Sequence, residues 1–284
     1  MRLAVIGDVH LAFDAEDARA IDAAGYEAVL FAGDLAGYSV RGGLRVARAI
    51  AGLRTRAIAI PGNHDAVPLP QFAAEFTRQE RAAALLARGQ EGRVASLASA
   101  LGPVRLSGYE VLPLGAPGEL DCIVARPHSF GGPALSFGAY LGARYGVDSM
   151  ERSAELLCAR VDEARSERLL FLAHNGPTGL GERRHDPWGR DFGRAEGDFG
   201  DPDLRAAIDH ARASGRQVVA VVAGHMHRAL RGGGERTWQA RQDGTLFVNA
   251  ARVPRIFEDG GRTRRHRVEL VIEGHHAEAR DVLE

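Results

Sequence analysis

Leu3-Ala4-Val5-Ile6-Gly7-Asp8-Val9-His10 is the stretch on which the fold turns. Four apolar residues bounded by Gly-Asp have the length and flanks of a buried strand that delivers polar side chains at its C-terminal end. The pattern recurs downstream. Ala28–Ala32 stops at Gly33-Asp34, Ala57–Ile60 at Pro61-Gly62-Asn63-His64, Leu169–Ala173 at His174, and Gln217–Ala223 at Gly224-His225-Met226-His227. Helix-compatible segments lie between them at Ala15–Ala24, Leu44–Leu53, Asp148–Arg165 and Leu204–Ser214. This alternation predicts an α/β fold with parallel strands, whose C-terminal ends gather residues distant in sequence.

The remaining segments are less regular. Leu69–Ala100 reads as one or two Ala-rich helices, Tyr109–Leu114 and Cys122–Ala125 as strands, and Arg126–Tyr145 as a long ordered loop. Residues 176–203 form a Gly-, Asp- and Arg-rich insertion, for which a lid or specificity loop and a structural Ω-loop are both open readings. Further strands are expected near Thr237–Ala240, Leu246–Asn249 and Val268–Ile272. No repeat, heptad run or linker interrupts the chain, so residues 1–284 are read as a single domain.

Composition narrows the function classes. The 284 residues are 45% hydrophobic, enough for a sizeable core, and carry a formal net charge of −1. Near-neutrality argues against a polyanion-binding coat. No apolar run approaches the ~18 residues of a membrane span, and the N-terminus enters a strand with no secretory h-region. Cys122 and Cys158 are far apart and form no metal-type pair, so a reducing, cytoplasmic setting is expected. All 36 basic residues are arginine, which excludes Schiff-base and P-loop lysine chemistry.

The five strand ends together offer Asp8, His10, Asp34, Asn63, His64, His174, His225 and His227. Two carboxylates, an amide oxygen and several imidazoles suit borderline divalent ions rather than a calcium cage. There are more donors than one site with open positions requires, so two adjacent ions sharing a carboxylate are expected.

Gly-Asp8-Val-His10, Gly-Asp34, Gly-Asn63-His64-Asp65, His174 and Gly-His225-Met-His227 resemble, in order and rough spacing, the five motifs of the calcineurin-like metallophosphoesterase superfamily. The resemblance implies a two-sheet αββα sandwich with a dinuclear metal site at the strand C-terminal edge. It implies that Asp8, His10, Asp34 and His227 bind one ion and that Asp34, Asn63, His174 and His225 bind the other, with Asp34 bridging. The implied cofactors are two divalent ions, manganese first, with iron, zinc, cobalt or nickel as alternatives. The implied reaction is hydrolysis of phosphodiester or phosphomonoester bonds by in-line attack of a metal-bridging hydroxide. His64 stands beside a ligand without being needed as one, and is the candidate catalytic donor to the leaving oxygen.

In the phosphoprotein-phosphatase branch the second motif continues to a further aspartate and an arginine. Here it continues Leu35-Ala36-Gly37-Tyr38, which favours a phosphodiesterase or small-molecule phosphoesterase over a protein phosphatase. Substrate contacts are sought at Asn175, Arg126, Arg183, Arg184, Trp188 and Arg190, the last four in the insertion. His128 and His210 read as ordinary histidines, and His275 and His276 as a solvated tail. Arg262–Arg267 reads as a charged hairpin before the last strand. It is also the one feature pointing to nucleic acid, and a metal-dependent nuclease is therefore the alternative to an enzyme of small phosphoesters or nucleotides. A non-catalytic scaffold retaining the fold is a further alternative, disfavoured by the complete ligand set. No membrane partner is expected, and the sequence does not reveal an oligomeric state.

Overall fold

The computed structural model describes residues 1–193 and 195–284; Arg194, inside the insertion, lies outside the described residues. The first half of the chain runs β1 (Arg2–Ile6), α1 (Ala15–Ala24), β2 (Ala28–Phe31), α2 (Val40–Ile50), β3 (Ala57–Ala59), α3 (Leu69–Phe76), α4 (Glu80–Leu86), α5 (Gln90–Leu101), β4 (Arg105–Leu106), β5 (Glu110–Leu114) and β6 (Leu120–Val124). The second half adds α6 (Gly138–Tyr145), α7 (Met150–Glu163), β7 (Arg168–Leu172), α8 (Pro202–Ala213), β8 (Gln217–Ala223), β9 (Gln239–Gln242), β10 (Thr245–Asn249), β11 (Ile256–Asp259), β12 (Arg262–Glu273) and β13 (His276–Leu283).

Two mixed sheets form an α/β sandwich. One has the order β11-β12-β1-β2-β3-β4, with β13 also paired to β12; the other has the order β5-β6-β7-β8-β10-β9. In the first, β1 to β4 are parallel and β12 returns antiparallel beside β1. In the second, β6, β7, β8 and β10 are parallel.

Strand alternation explains the layering. Leu3 and Val5, Ala28 and Leu30, and Ile58 point into the core shared with the second sheet. Their neighbours Ala4 and Ile6, Val29 and Phe31, and Ala57 and Ala59 point to the other face, where they meet Ile21 of α1, Val46 and Ile50 of α2 and Leu97 of α5. A strand covered on both faces has no place for a polar residue, so it reads as an unbroken apolar run. The second sheet is backed by α7 and α8, with Leu157, Val161, Leu204 and Ile208 fully buried.

Caps set the helix starts where the apolar periodicity alone did not. Ser39 accepts from Gly42 N, so α2 begins four residues before the expected Leu44. Asp14 and Asp17 form a capping box on α1. The stretch expected to hold one or two helices holds three, α3 to α5, because turns after Phe76 and Leu86 break it. The loop expected over Arg126–Tyr145 ends in helix α6, and β4 and β13 are additional strands.

The described residues of the 176–203 insertion are folded onto the sandwich rather than hanging free. Isolated bridges join Pro177 to Asp201 and Gly189 to Asp198, and Trp188 is fully buried beneath them. The Arg262–Arg267 run forms the expected charged hairpin, pairing antiparallel with β11 at the start of β12, and most of its charges are paired. Arg265 reaches Asp14 (3.0 Å), Glu16 (2.7 Å) and Asp17 (3.1 Å), Arg267 pairs with Glu284, and Arg264 lies 3.6 Å from Asp259. His275 and His276 are exposed, as expected, but sit at the turn into β13 rather than in a tail. Among the described residues no helix is long and apolar enough to cross a membrane.

Asp17 is buried between Arg255 (2.7 Å) and Arg265 (3.1 Å), joining α1 to the β12 edge. Removing one member of such a cluster leaves uncompensated buried charge. Asp17→Ala is expected to lower unfolding stability by about 3–5 kcal/mol. Urea denaturation would measure this, and a loss no larger than that of an exposed acid would refute the structural role.

Candidate metal centre

The five strand ends meet at one edge of the sandwich. Asp8 and His10 follow β1, Asp34 follows β2, Asn63 and His64 follow β3, His174 follows β7, and His225 and His227 follow β8. Two sets of donor atoms lie within 4.8 Å of one another: Asp8, His10 and His227, and Asp34, His174 and His225. Asn63 joins the second set, its Oδ1 lying 2.7 Å from His174 Nε2 and 3.0 Å from His225 Nδ1. Asp34 faces both sets, with Oδ2 3.8 Å from His10 Nε2 and Oδ1 3.6 Å from His174 Nε2.

The local backbone is unusual. Asp8, His10, Asp34 and His225 all have positive φ, between 41° and 68°. This left-handed region is sparsely used by residues other than glycine, though Asp and His enter it more readily than bulkier types. The glycines before the ligands serve close approach as much as turning. A Cβ at Gly62 would fall on Asp34 Oδ1, and one at Gly224 on Asp8 Oδ1, while neither glycine has positive φ.

Hydrogen bonds tie the corners together. Asp8 Oδ1 accepts from His225 N (2.8 Å) and Asp34 Oδ1 from His64 N (2.9 Å). Asp65 is wholly buried and accepts from Ala36 N and Gly62 N, both at 2.8 Å, so it clamps the β2 corner to the β3 corner. Its place in Gly-Asn-His-Asp was visible in the sequence, but its clamp depends on an amide 29 residues away. His174 Nδ1 is held by Ala32 O at 2.7 Å, which orients Nε2 toward Asn63 and Asp34. Asn249, at the end of β10, donates to Met226 O (2.7 Å) and Pro187 O (2.9 Å) and steadies the His225–His227 turn.

The donor set fits divalent cations. Asp8 Oδ2 is buried with no well-directed donor, although His227 Nε2 lies 3.1 Å away. His10 Nε2 and His227 Nε2 face each other at 3.1 Å, an arrangement that a shared cation would reconcile. Burial works against a charge on Asp8, but the His227 contact, with His174 and His10 behind it, holds the carboxyl below its usual range. Asp34 is likewise buried and held low by His174, His64 and His10. Burial opposes the charge on His174 and His227, yet Asp34 and Asp8 raise the first and Asp8 raises the second. His225, pushed down to about 3 by burial and then by His174, stays neutral. Burial and the neighbouring Asp34 push Asp65 up, against its amide donors.

His64 is arranged differently. No carboxylate orients its ring; Tyr38 meets it edge-on at 4.7 Å and Phe72 packs against it at 4.7 Å. Its Nε2 lies 3.9 Å from Asp34 Oδ2, and burial lowers its pKa despite Asp34.

A cavity of about 570 Å³ opens beside these residues. Asp34, Asn63, His64, His225 and His227 lie at one end, and Phe72, Phe76, Phe130, Phe192 and Arg231 are among its walls. None of the six residues expected from the sequence to contact substrate lines it. Arg126 is buried in an ion pair with Asp203 (2.7 Å) and Asp201 (3.0 Å). Asn175 is buried and donates to Phe199 O at 2.9 Å. Trp188 packs under Gly176 with its indole N–H on Gly224 O at 3.3 Å. Arg183 and Arg184 are exposed, Arg184 paired with Glu196 at 2.5 Å, and Arg190 donates to Ala195 O at 2.9 Å. The insertion reaches the cavity instead through Asp191, Phe192 and Phe199. His128 is buried with Nδ1 on Gly62 O at 2.9 Å, and His210 pairs with Asp162 at 2.7 Å across α7 and α8.

A family model described as calcineurin-like phosphoesterase matches residues 1–229. No curated protein sequence matches the chain. Similar solved structures include TT1561 of Thermus thermophilus, at 11% identity and a TM-score of 0.51, covering 99% of this chain and 98% of that one. A dimetal phosphatase from Danio rerio is similar at 11% identity and a TM-score of 0.52, covering 100% and 98%. GAP50, the anchor in the inner membrane complex of Plasmodium, is similar at 8% identity and a TM-score of 0.53, covering 99% and 84%. At these identities the likeness is one of fold.

Two outcomes are expected for metal uptake. Asp65→Ala, which frees the two corners, should weaken manganese affinity by about 10- to 100-fold; unchanged affinity by titration calorimetry would refute the clamp. His174 and His227, raised above the ordinary histidine value of 6.5, are protonated at low pH and must lose those protons to ligate. Affinity should therefore fall as pH drops through that range, with proton release on binding. Calorimetry in buffers of different ionisation heat would detect it, and a pH-independent affinity would count against these ligands.

Proposed function

The chain belongs to the calcineurin-like phosphoesterase family, and from this premise we propose that it hydrolyses small-molecule phosphate esters at a centre of two divalent cations. The observation that carries this reading is the meeting of two donor sets at one strand edge beside a cavity. In it Asp8, His10, Asp34 and His227 hold one ion, Asp34, Asn63, His174 and His225 hold the other, and Asp34 is shared. Manganese is the first ion to test, because the set mixes carboxylate and amide oxygens with imidazoles. When bound, such ions supply Lewis-acid polarisation of the phosphate and a lowered pKa for the attacking water.

The side chains do the rest. Asp8 and Asp34 hold two negative charges in a buried setting and stay ionised across neutral pH. His64, packed against Phe72 with Nε2 3.9 Å from Asp34 Oδ2, is kept neutral by burial and, with Nε2 carrying the hydrogen, donates a hydrogen bond to the leaving oxygen. Water adds to phosphorus in line with the departing alcohol, which leaves with one proton.

A phosphodiesterase is favoured over a protein phosphatase. The supporting features are the Leu35–Tyr38 continuation and a cavity suited in size to a small ligand rather than a flat face for a folded chain. A nuclease gains no support, since the arginines of β12 that motivated it are largely paired with acids. A cytoplasmic setting is in keeping with two free cysteines, one of them buried.

With manganese, the protein should turn over bis-(p-nitrophenyl) phosphate faster than p-nitrophenyl phosphate and leave a single-stranded oligonucleotide uncut. Asp34→Asn should abolish turnover. His64→Gln should lower kcat by about 10²- to 10⁴-fold with metal content retained. Absence of turnover on both esters, or full activity in Asp34→Asn, would overturn the proposal.

A further inference from the structure

The cavity walls carry more than a phosphate alone would require. Phosphate recognition calls for cations and N–H donors, yet the wall beginning at His64 is made of rings. The Phe72 ring packs against His64, and Phe130 crosses Phe72 at 5.1 Å. Phe76, one helical turn beyond Phe72 on α3, lies parallel to it within 6° at 6.3 Å and is 64% exposed. Across the cavity Phe192 and Phe199 meet edge-on at 4.9 Å, and the Arg231 guanidinium lies 5.8 Å over Phe192. That guanidinium makes no hydrogen bond or ion pair among the described residues; only the Arg231 backbone N–H is engaged, on Asp191 at 3.0 Å. An exposed phenylalanine beside a reaction edge is apolar surface that water solvates poorly. Parallel ring faces and a guanidinium plane both stack on flat π-systems.

Resting on the phosphoesterase reading above, we propose that the leaving group of the substrate carries a planar aromatic ring, which stacks on the Phe72–Phe76 face. The direction follows from His64. The group that donates to the leaving oxygen is also the group from which the ring wall starts, so the departing alcohol, not the retained phosphate, runs along that wall. Arg231 stands over the opposite side, where it meets the ring edge or the residual negative charge of the phosphate. Hydrolysis then consumes one water, forms one phosphorus–oxygen bond, breaks the bond to the aromatic alcohol, and delivers one proton to that alcohol. No electron transfer is involved.

The test compares methyl phosphodiesters of ethanol, 2-cyclohexylethanol and 2-phenylethanol, whose leaving alcohols have similar acidity, with the manganese-loaded protein. Release of each alcohol is measured. The expected result is that kcat/KM for the phenylethyl ester exceeds that of the ethyl ester by about tenfold or more, a stacking-sized effect, and exceeds that of the cyclohexylethyl ester. In Phe76→Leu the preference for phenyl over cyclohexyl should vanish, and in Phe76→Ala the preference over ethyl should fall too. Phe76 is exposed, so neither change empties the core. Equal kcat/KM for all three esters overturns the inference while leaving the phosphoesterase reading intact, as does a phenyl preference that survives in both Phe76 variants. Failure to hydrolyse any of the three overturns the inference alone where bis-(p-nitrophenyl) phosphate is still turned over, and both readings where it is not.

Discussion

Two buried carboxylates hold this edge of the molecule together. Asp8 grips the backbone N–H of His225, which comes from the other sheet, and Asp34 grips that of His64. Asp8 uses one oxygen for the fold and keeps the other for the site, whereas Asp34 Oδ1 serves both, accepting from His64 N and facing His174. Asp8 Oδ2 has no well-directed donor, and Asp34 Oδ2 faces His10 and His64. A buried anion without a full set of partners is costly; the surrounding imidazoles offset that cost, and a bound cation would offset it further. The glycines at 62 and 224 follow from the same constraint, since any side chain there would occupy the carboxylate's position.

Backbone strain gathers at the same place. Four of the seven proposed ligands sit in the left-handed region. Residues held so persist only where the surroundings over-determine them. Here the surroundings are specific: the Asp65 clamp, the Ala32 carbonyl on His174, and Asn249 beneath the Met226 turn. The donors of the centre are thus aimed by hydrogen bonds that belong to the fold.

Much of this was legible because a doubly covered strand cannot hide. Leu3–Ile6, Ala28–Ala32 and Ala57–Ile60 are apolar on both faces, so their ends stand out, and the polar residues at those ends are the site. What lay beyond reach were contacts that only folding creates. Arg126, Asn175 and Trp188 have the chemistry of substrate contacts, but Arg126 is taken up by Asp201 and Asp203, and Trp188 fills the insertion's own core. A guanidinium or an indole in a Gly-rich loop reads the same whether it faces a ligand or an aspartate 77 residues away. Conversely, nothing in the sequence singled out Phe72, Phe76 and Phe192, and the wall they form exists only once α3 and the insertion are folded against the site. The three-helix break in Leu69–Ala100 escaped because Ala-rich sequence marks helices better than it marks their ends.

Each donor set draws on both sheets: Asp8 and His10 come from the first and His227 from the second, just as Asp34 comes from the first and His174 and His225 from the second. The centre is therefore a clasp between strands made at different times, β1 to β3 early and β7 and β8 later. A chain emerging from the ribosome has its first-sheet donors long before His225 and His227 exist. Neither three-residue donor set can close until β8 has been made and docked against the first sheet. Ion binding here would thus report that the two layers have met in the right register, and an ion captured at this edge would act as a cross-link spanning more than two hundred residues of chain, from Asp8 to His227.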